Sequence, residues 1–494
     1  MKFYSTRDKD QVRFSAAQVI KQGLANDGGL FVPEEIPSLT ENEIKELCNK
    51  SYPERAAYIL SKFLTDYEYD ELLKDCEAAY CANSFPDGAA PLKKVTDNIF
   101  SLELWHGPTA AFKDMALQIM PRLLSRALVK TGETNTALIL VATSGDTGKA
   151  ALEGYKDIDR VKIIVFYPVD GVSKVQKLQM ATQTGSNVSV CAIKGNFDDA
   201  QTGVKKIFSD PVAKAKLLEN AHILSSANSI NWGRLAPQIV YYVSAYCDLL
   251  NANEITYGET VNVCVPTGNF GNILAAYIAK NMGLPLNKFV CASNANNVLT
   301  DFLETGTYDR NRKFHLTMSP SMDILISSNL ERLLYIELGT EKTAKYMAEL
   351  ASVGRYELSE DDFARIKKHF VGYSASEADT ARTIKTIYEK ENCLIDTHTA
   401  VAFYATGKYI EDNKAERRIL TVSTASAYKF AEDVYTSLTD KRPEDGLAAL
   451  EMLCDLTGEP IPEPIKGLAE KEILHSSTID KTEMKDAVSA FAKG

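Results

Sequence analysis

The sequence predicts an α/β protein on mainly parallel sheets, preceded by a mostly helical N-terminal domain. Three observations predict it. Between about residues 96 and 435, β-prone runs (ALILVAT, VKIIVFYP, VNVCVPT, NKFVCAS, RRILTVST) alternate with segments whose apolar residues recur at helical spacing, as parallel strands with crossover helices require. Two of these runs pass through a glycine-rich turn straight into a helix start. In residues 1–95 the alternation is missing, and ENEIKELCNK and YEYDELLKDCEAAYCA have helical spacing instead. A chain of 494 residues is too long for one ordinary core, so two or three domains are expected.

Taken in order, NSFPDGAAPLKK reads as a linker after the helical domain. LELWHGPTAAFKDMALQIM follows, with Lys113 just inside a helix start. A helix N-terminus and apolar surroundings both favour the neutral amine, and such an amine on a rigid element can bond a carbonyl cofactor such as pyridoxal phosphate. Alone, the lysine reads more readily as a solvated side chain lying over Phe112. Two later elements reverse that. VNVCVPT leads through GNFGN (268–272) into ILAAYIAKNMG, a strand, turn and helix start whose free amides and dipole suit an anion. Gly268 and Gly271 allow close backbone approach there, and the dinucleotide pattern GxGxxG is absent. TALILVAT leads likewise through SGDTG into KAALEGY; the hydroxyls of this loop, at Thr143, Ser144 and Thr147, suit a carboxylate. It is not a Walker loop, because Thr143 stands at the first Gly position and Ala150 at the Ser or Thr position.

A net charge of -11 argues against nucleic acid or an anionic membrane as partner. The nine cysteines are odd in number and scattered without CxxC, so neither a disulfide framework nor a metal site is predicted, and they read as reduced residues of a cytoplasmic protein. The start is charged, and no apolar run approaches membrane-spanning length.

HGPTAAFKD, ATSGDTG, NSINWGR, PTGNFGN and SPSMDILISSNLERLL together resemble the motifs of the threonine synthase family, fold type II pyridoxal phosphate enzymes with a tryptophan synthase β-like architecture. DGGLFVP, DTHTAVAF and VSTASAYKF extend the resemblance over residues 1 to 435. It implies an N-terminal domain at 1–95, a large cofactor-binding domain at 96–135 and 231–435, a smaller mobile domain at 136–230, and a tail at 436–494 packing on the large domain. It makes Lys113 the Schiff-base lysine and sets Gly268, Asn269, Phe270, Gly271 and Asn272 around the cofactor phosphate. Thr424 then faces the pyridine nitrogen, with a second role as helix N-cap. The family's TAHPAKF is TASAYKF here, so a His and a Pro are missing after Thr424. Asp146 stands where many related enzymes have Asn; a carboxylate cannot donate to an anion, so it is expected to face backbone amides or the cofactor's edge.

The implied reaction turns O-phospho-L-homoserine and water into L-threonine and phosphate. Such a substrate needs fixed positive charge, for which Arg234, with its planar fork beside Trp232, is the first candidate, followed by Lys174 and Lys429. His106 and His398 read as satisfied structural histidines. A dehydratase or phospholyase that stops after elimination, and a non-catalytic phosphate-ester binding protein, are the rival readings. Both a monomer and a homodimer are compatible with the sequence.

Overall fold

The computed structural model describes residues 1–493 apart from Ser144, Gly171 and residues 415–417, with Asp198 described by its backbone only. Among the described residues, two sheets organise the chain. The larger has six strands in the order Phe370–Ser374, Leu286–Ser293, Val261–Pro266, Ile419–Ser423, Ile99–Glu103, Leu92–Lys94. All its neighbours run parallel except the last pair. The smaller has five parallel strands in the order Thr478–Asp480, Val188–Lys194, Val161–Pro168, Thr136–Ala142, His222–Ser225. Helices cover both faces of such sheets, which is why Val261–Pro266 is an unbroken apolar-rich run buried at every residue.

The N-terminal region carries helices Ala16–Gln22, Glu41–Cys48, Tyr52–Phe63 and Tyr69–Ala79. Capping boxes start the first two: Ser15 with Gln18, and Thr40 with Glu43. A short antiparallel pair, Phe3–Ser5 with Phe31–Pro33, joins them. This region shares one core with the large sheet, since Trp232 packs between Phe3 and Phe63. Helix Trp232–Asn251, which Trp232 opens, lies between the N-terminal helices and helix Gly271–Asn281 and is buried along almost its whole length.

Two boundaries differ from the sequence reading. The end of the linker, Leu92–Lys94, is an edge strand antiparallel to Ile99–Glu103, so the large sheet begins before residue 95. Lys93 and Lys94 are exposed, as suits an edge, and in a Pro- and Gly-rich stretch so short a strand has no periodicity to show. The tail is divided. Helix Gly446–Thr457 packs Ala449, Leu450 and Leu453 against Tyr428 and Val434 of the large half. Its far end leaves the large half: Ile479 pairs with Ile193 in the smaller sheet, and helix Met484–Lys493 packs Met484, Val488 and Ala492, spaced four apart, onto Ile193, Ile207 and Leu217. No helix among the described residues is long and apolar enough to cross a membrane.

Candidate active site

The lysine segment is fastened from both sides. Phe112 N donates to Thr424 O (2.8 Å), and Ser426 N donates to Ala110 O (3.1 Å), so residues 110–112 run beside the chain that leaves strand Ile419–Ser423. The buried Asp114 carboxylate accepts from Thr109 N (2.8 Å) and Thr109 Oγ1 (2.7 Å). Burial pushes that carboxyl up to about 6, against the pull of the Thr109 hydrogen bonds. Gly107 leaves room for this clasp, because a Cβ there would stand 2.6 Å from the Asp114 side chain. Lys113 emerges from it, 8% exposed. It caps a helix of only four residues, Asp114–Leu117, so a helix dipole contributes less than the sequence suggested. Burial is the main force lowering its pKa; Lys429 and Arg234 add to that, and Asp146 opposes them.

Asp146 opens helix Asp146–Tyr155. Its carboxylate lies 2.8 Å from Lys429 Nζ and 3.6 Å from Lys113 Nζ, and accepts from Gln176 Nε2 (2.9 Å). Burial alone would raise it, but the two lysines hold it well below the usual carboxylate range. Two buried amines therefore share one buried carboxylate, and the pocket is locally cationic in a chain of net charge -11. Asp146 thus faces ammonium groups rather than backbone amides. Lys429, fixed also by Thr109 O (2.9 Å) and fully covered, is engaged in that pairing and is not free for a phosphate.

The second junction is open. After strand Val261–Pro266, Phe270 adopts a left-handed conformation (φ 61°) and helix Gly271–Asn281 begins, leaving its first amides without intrahelical acceptors. The loop is braced from outside: Ser327 Oγ donates to Gly268 O (2.6 Å), and Asn329 N and Nδ2 donate to Asn269 O (3.0 Å each). A Cβ on Gly268 would come within 2.9 Å of Ser321 O. Asn272 Oδ1 accepts from Tyr241 (2.6 Å) and Tyr242 (2.5 Å), which fixes its amide and leaves its buried Nδ2 without a partner.

Comparison with known proteins agrees with this arrangement. A family model described as "Threonine synthase N terminus" matches residues 2–80, and one described as "Pyridoxal-phosphate dependent enzyme" matches residues 89–425. The chain belongs to the threonine synthase family of pyridoxal-phosphate-dependent enzymes. It is similar to "Threonine synthase-like 1" of Homo sapiens, 41% identical over 88% of this chain but only 59% of that protein, so it spans under two thirds of that relative's length. It is 38% identical to the threonine synthase of Pseudomonas aeruginosa, over 88% of this chain and 90% of that one. The crystal structure of pyridoxal-phosphate-bound threonine synthase from Brucella melitensis superimposes with a TM-score of 0.88 at 34% identity, covering all of both chains.

The residues present fit pyridoxal phosphate. The amides of 268–272, without partners among the described residues, and the orphaned Asn272 Nδ2 suit its phosphate, and Lys113 is a buried amine of lowered pKa that suits its carbonyl. Thr424 is buried where its carbonyl anchors Phe112, directly before Lys113; the N-cap role belongs to Ser426, whose Oγ accepts from Tyr428 N at 3.3 Å. Thr143 differs from expectation in that its hydroxyl accepts from Gly145 N and Gly148 N (3.0 Å each), which closes its own loop. Thr147 is half-buried beside it, and Ser144 lies outside the described residues.

Arg234 is buried with Nη1 on Ala227 O (2.6 Å), Nε unpaired, and no ion-pair carboxylate among the described residues; burial lowers it to about 10. Trp232, two positions earlier on the helix, packs away from it into the N-terminal core. Lys174 is not brought to the cluster. It is exposed and paired with Asp445 (2.7 Å), because it lies on the opposite side of its helix from Gln176, which turns to Asp146. His106 stacks on Trp105 and holds Glu103 (2.8 Å). Ser321 and Gln176 join the site without a signal in the sequence: SPSMD is a family string, and nothing in its spacing places it opposite Lys113.

Proposed function

We propose that the chain converts O-phospho-L-homoserine and water to L-threonine and phosphate, with Lys113 as the lysine that bonds the cofactor. When bound, pyridoxal phosphate supplies an electron sink for charge at the substrate's α-carbon. Lys113 is the side chain that would move protons at Cα, Cβ and Cγ of the substrate. Gly268 to Asn272 would hold the cofactor phosphate through backbone amides and Asn272 Nδ2, and Thr424 would supply a hydroxyl to the pyridine nitrogen. The observation that carries the substrate class is Arg234: a buried guanidinium without an ion-pair carboxylate among the described residues, close enough for its charge to lower Lys113. A buried charge needs a partner, and a substrate phosphate supplies one. Thr147, and Ser144 with it, take the substrate carboxylate.

The test is to record the visible spectrum of the purified chain and to feed it O-phospho-L-homoserine while assaying phosphate and amino acid separately. Equal release of threonine and phosphate is expected. Phosphate with a ketoacid would replace the synthase with a phospholyase. Lys113→Ala is expected to stay folded and lose turnover by about 1,000-fold or more; normal turnover would remove Lys113 from its role. Arg234→Ala is expected to raise KM for the phosphorylated substrate with little change in cofactor affinity.

A further inference from the structure

We infer that Ser321 is a positioning residue for Lys113, held in place by a buried Asp396–His398 pair. The inference rests on Lys113 being the cofactor-bonding lysine. Ser321 belongs to the short 3-10 helix Pro320–Met322, far along the chain from the lysine segment. Its Oγ accepts from Lys113 Nζ (3.3 Å) and donates to Asp146 Oδ2 (3.5 Å), so the hydroxyl bridges an amine and a carboxylate that stand 3.6 Å apart. With its single proton directed at Asp146, the hydroxyl presents a lone pair to Lys113, which fixes where that amine's hydrogens point.

The backbone of Ser321 is itself set. Its N–H donates to His398 Nε2 (3.1 Å), and His398 Nδ1 faces Asp396 Oδ2 (2.7 Å). An N–H donor on one ring nitrogen and a carboxylate on the other require the tautomer protonated at Nδ1. Both residues are buried, and Asp396 is locked as N-cap of helix Thr397–Asn413, where it also accepts from His398 N and Thr399 N. A rigid helix end thus fixes an imidazole, the imidazole fixes the serine, and the serine fixes the reactive amine. His398 is satisfied, as its surroundings in sequence suggested, but it satisfies a group next to Lys113.

The experiment is a pH titration of the visible absorption band of the lysine-bound cofactor in the holoenzyme, with the rate at which glycine displaces the lysine measured by stopped-flow absorbance. Neither readout needs the natural substrate, so failure here and failure of the threonine synthase reading are separable. A hydroxyl that accepts from the nitrogen stabilises its protonated form, so Ser321→Ala is expected to lower the titration midpoint by about one pH unit and to slow or hasten glycine exchange several-fold. Ser321→Thr, which keeps the hydroxyl, is expected to restore most of the shift. His398→Gln, which keeps an acceptor for the Ser321 amide, is expected to stay near the parent, and His398→Leu to shift in the direction of Ser321→Ala. A midpoint and exchange rate in folded, cofactor-loaded Ser321→Ala equal to the parent's would overturn the inference, as would an equal shift in Ser321→Ala and Ser321→Thr.

Discussion

Two junctions of the same design, strand to glycine-rich loop to helix, come to opposite ends. At 268–272 the loop leaves its amides without partners among the described residues and takes its support from other segments, through Ser327 and Asn329. At 143–148 the loop supports itself, with Thr143 Oγ1 taking the amides of Gly145 and Gly148, and sets a carboxylate, Asp146, at the helix start. A helix N-terminus attracts negative charge in either case. One junction leaves that place open, which is where the proposed function puts the cofactor phosphate, and the other fills it with a side chain whose charge then organises Lys113 and Lys429. A glycine-rich βα turn is thus an anion site only when its amides are not already used.

The sharpest way to break the comparison is to remove the cation that makes the filled junction tolerable. Lys429→Met takes the nearer of its two lysines from the buried Asp146 and leaves it only Lys113 at 3.6 Å and the Gln176 amide, so unfolding free energy measured by denaturant titration is expected to fall by about 3 kcal/mol. Adding Asp146→Asn to the same chain is expected to recover part of that loss, because the under-compensated charge goes with it. Two additive losses would mean that the 2.8 Å pair is not what holds the loop. At the open junction the corresponding change is Gly268→Asp, which adds a negative charge where the cofactor phosphate is proposed to sit and a Cβ within 2.9 Å of Ser321 O. Cofactor affinity is expected to drop roughly 100-fold, read by fluorescence or absorbance titration. Unchanged affinity would put the phosphate elsewhere.

The sequence carried what is local and lost what is assembled. Parallel strands and both junctions were legible because each is a contiguous run with its own period and turn. Lys113, which alone reads more readily as a solvated side chain, stands out only through the two glycine-rich junctions further along the chain, and the structure buries it. Ser321 was not legible, since it meets Lys113 across 208 positions of chain and Asp146 across 175. Lys429 reads as a loose phosphate ligand for the same reason: Thr109 O reaches it from the segment after the neighbouring strand of its own sheet and Asp146 from the other sheet, both far from it in sequence. Leu92–Lys94 and Thr478–Asp480 were missed as strands because three residues show no period, and only their neighbours, Ile99–Glu103 and Val188–Lys194, make them strands.

The finest test of the comparison exchanges one oxygen at each loop. Thr143→Val keeps the shape of a side chain whose methyl already packs on Gly148, and removes only the acceptor of two buried amides. Stability is expected to fall by about 2 kcal/mol while cofactor affinity changes little, because this loop's hydrogen bonds serve the loop. Ser327→Ala removes the donor that braces Gly268 O from outside, where the loop's purpose is to hold its amides in one geometry. Its stability cost is expected to be smaller, about 1 kcal/mol, and its effect on cofactor affinity larger than that of Thr143→Val. If Thr143→Val weakened the cofactor more than Ser327→Ala did, the closed junction would be a ligand site after all, and the distinction between a loop that binds and a loop that binds itself would fail.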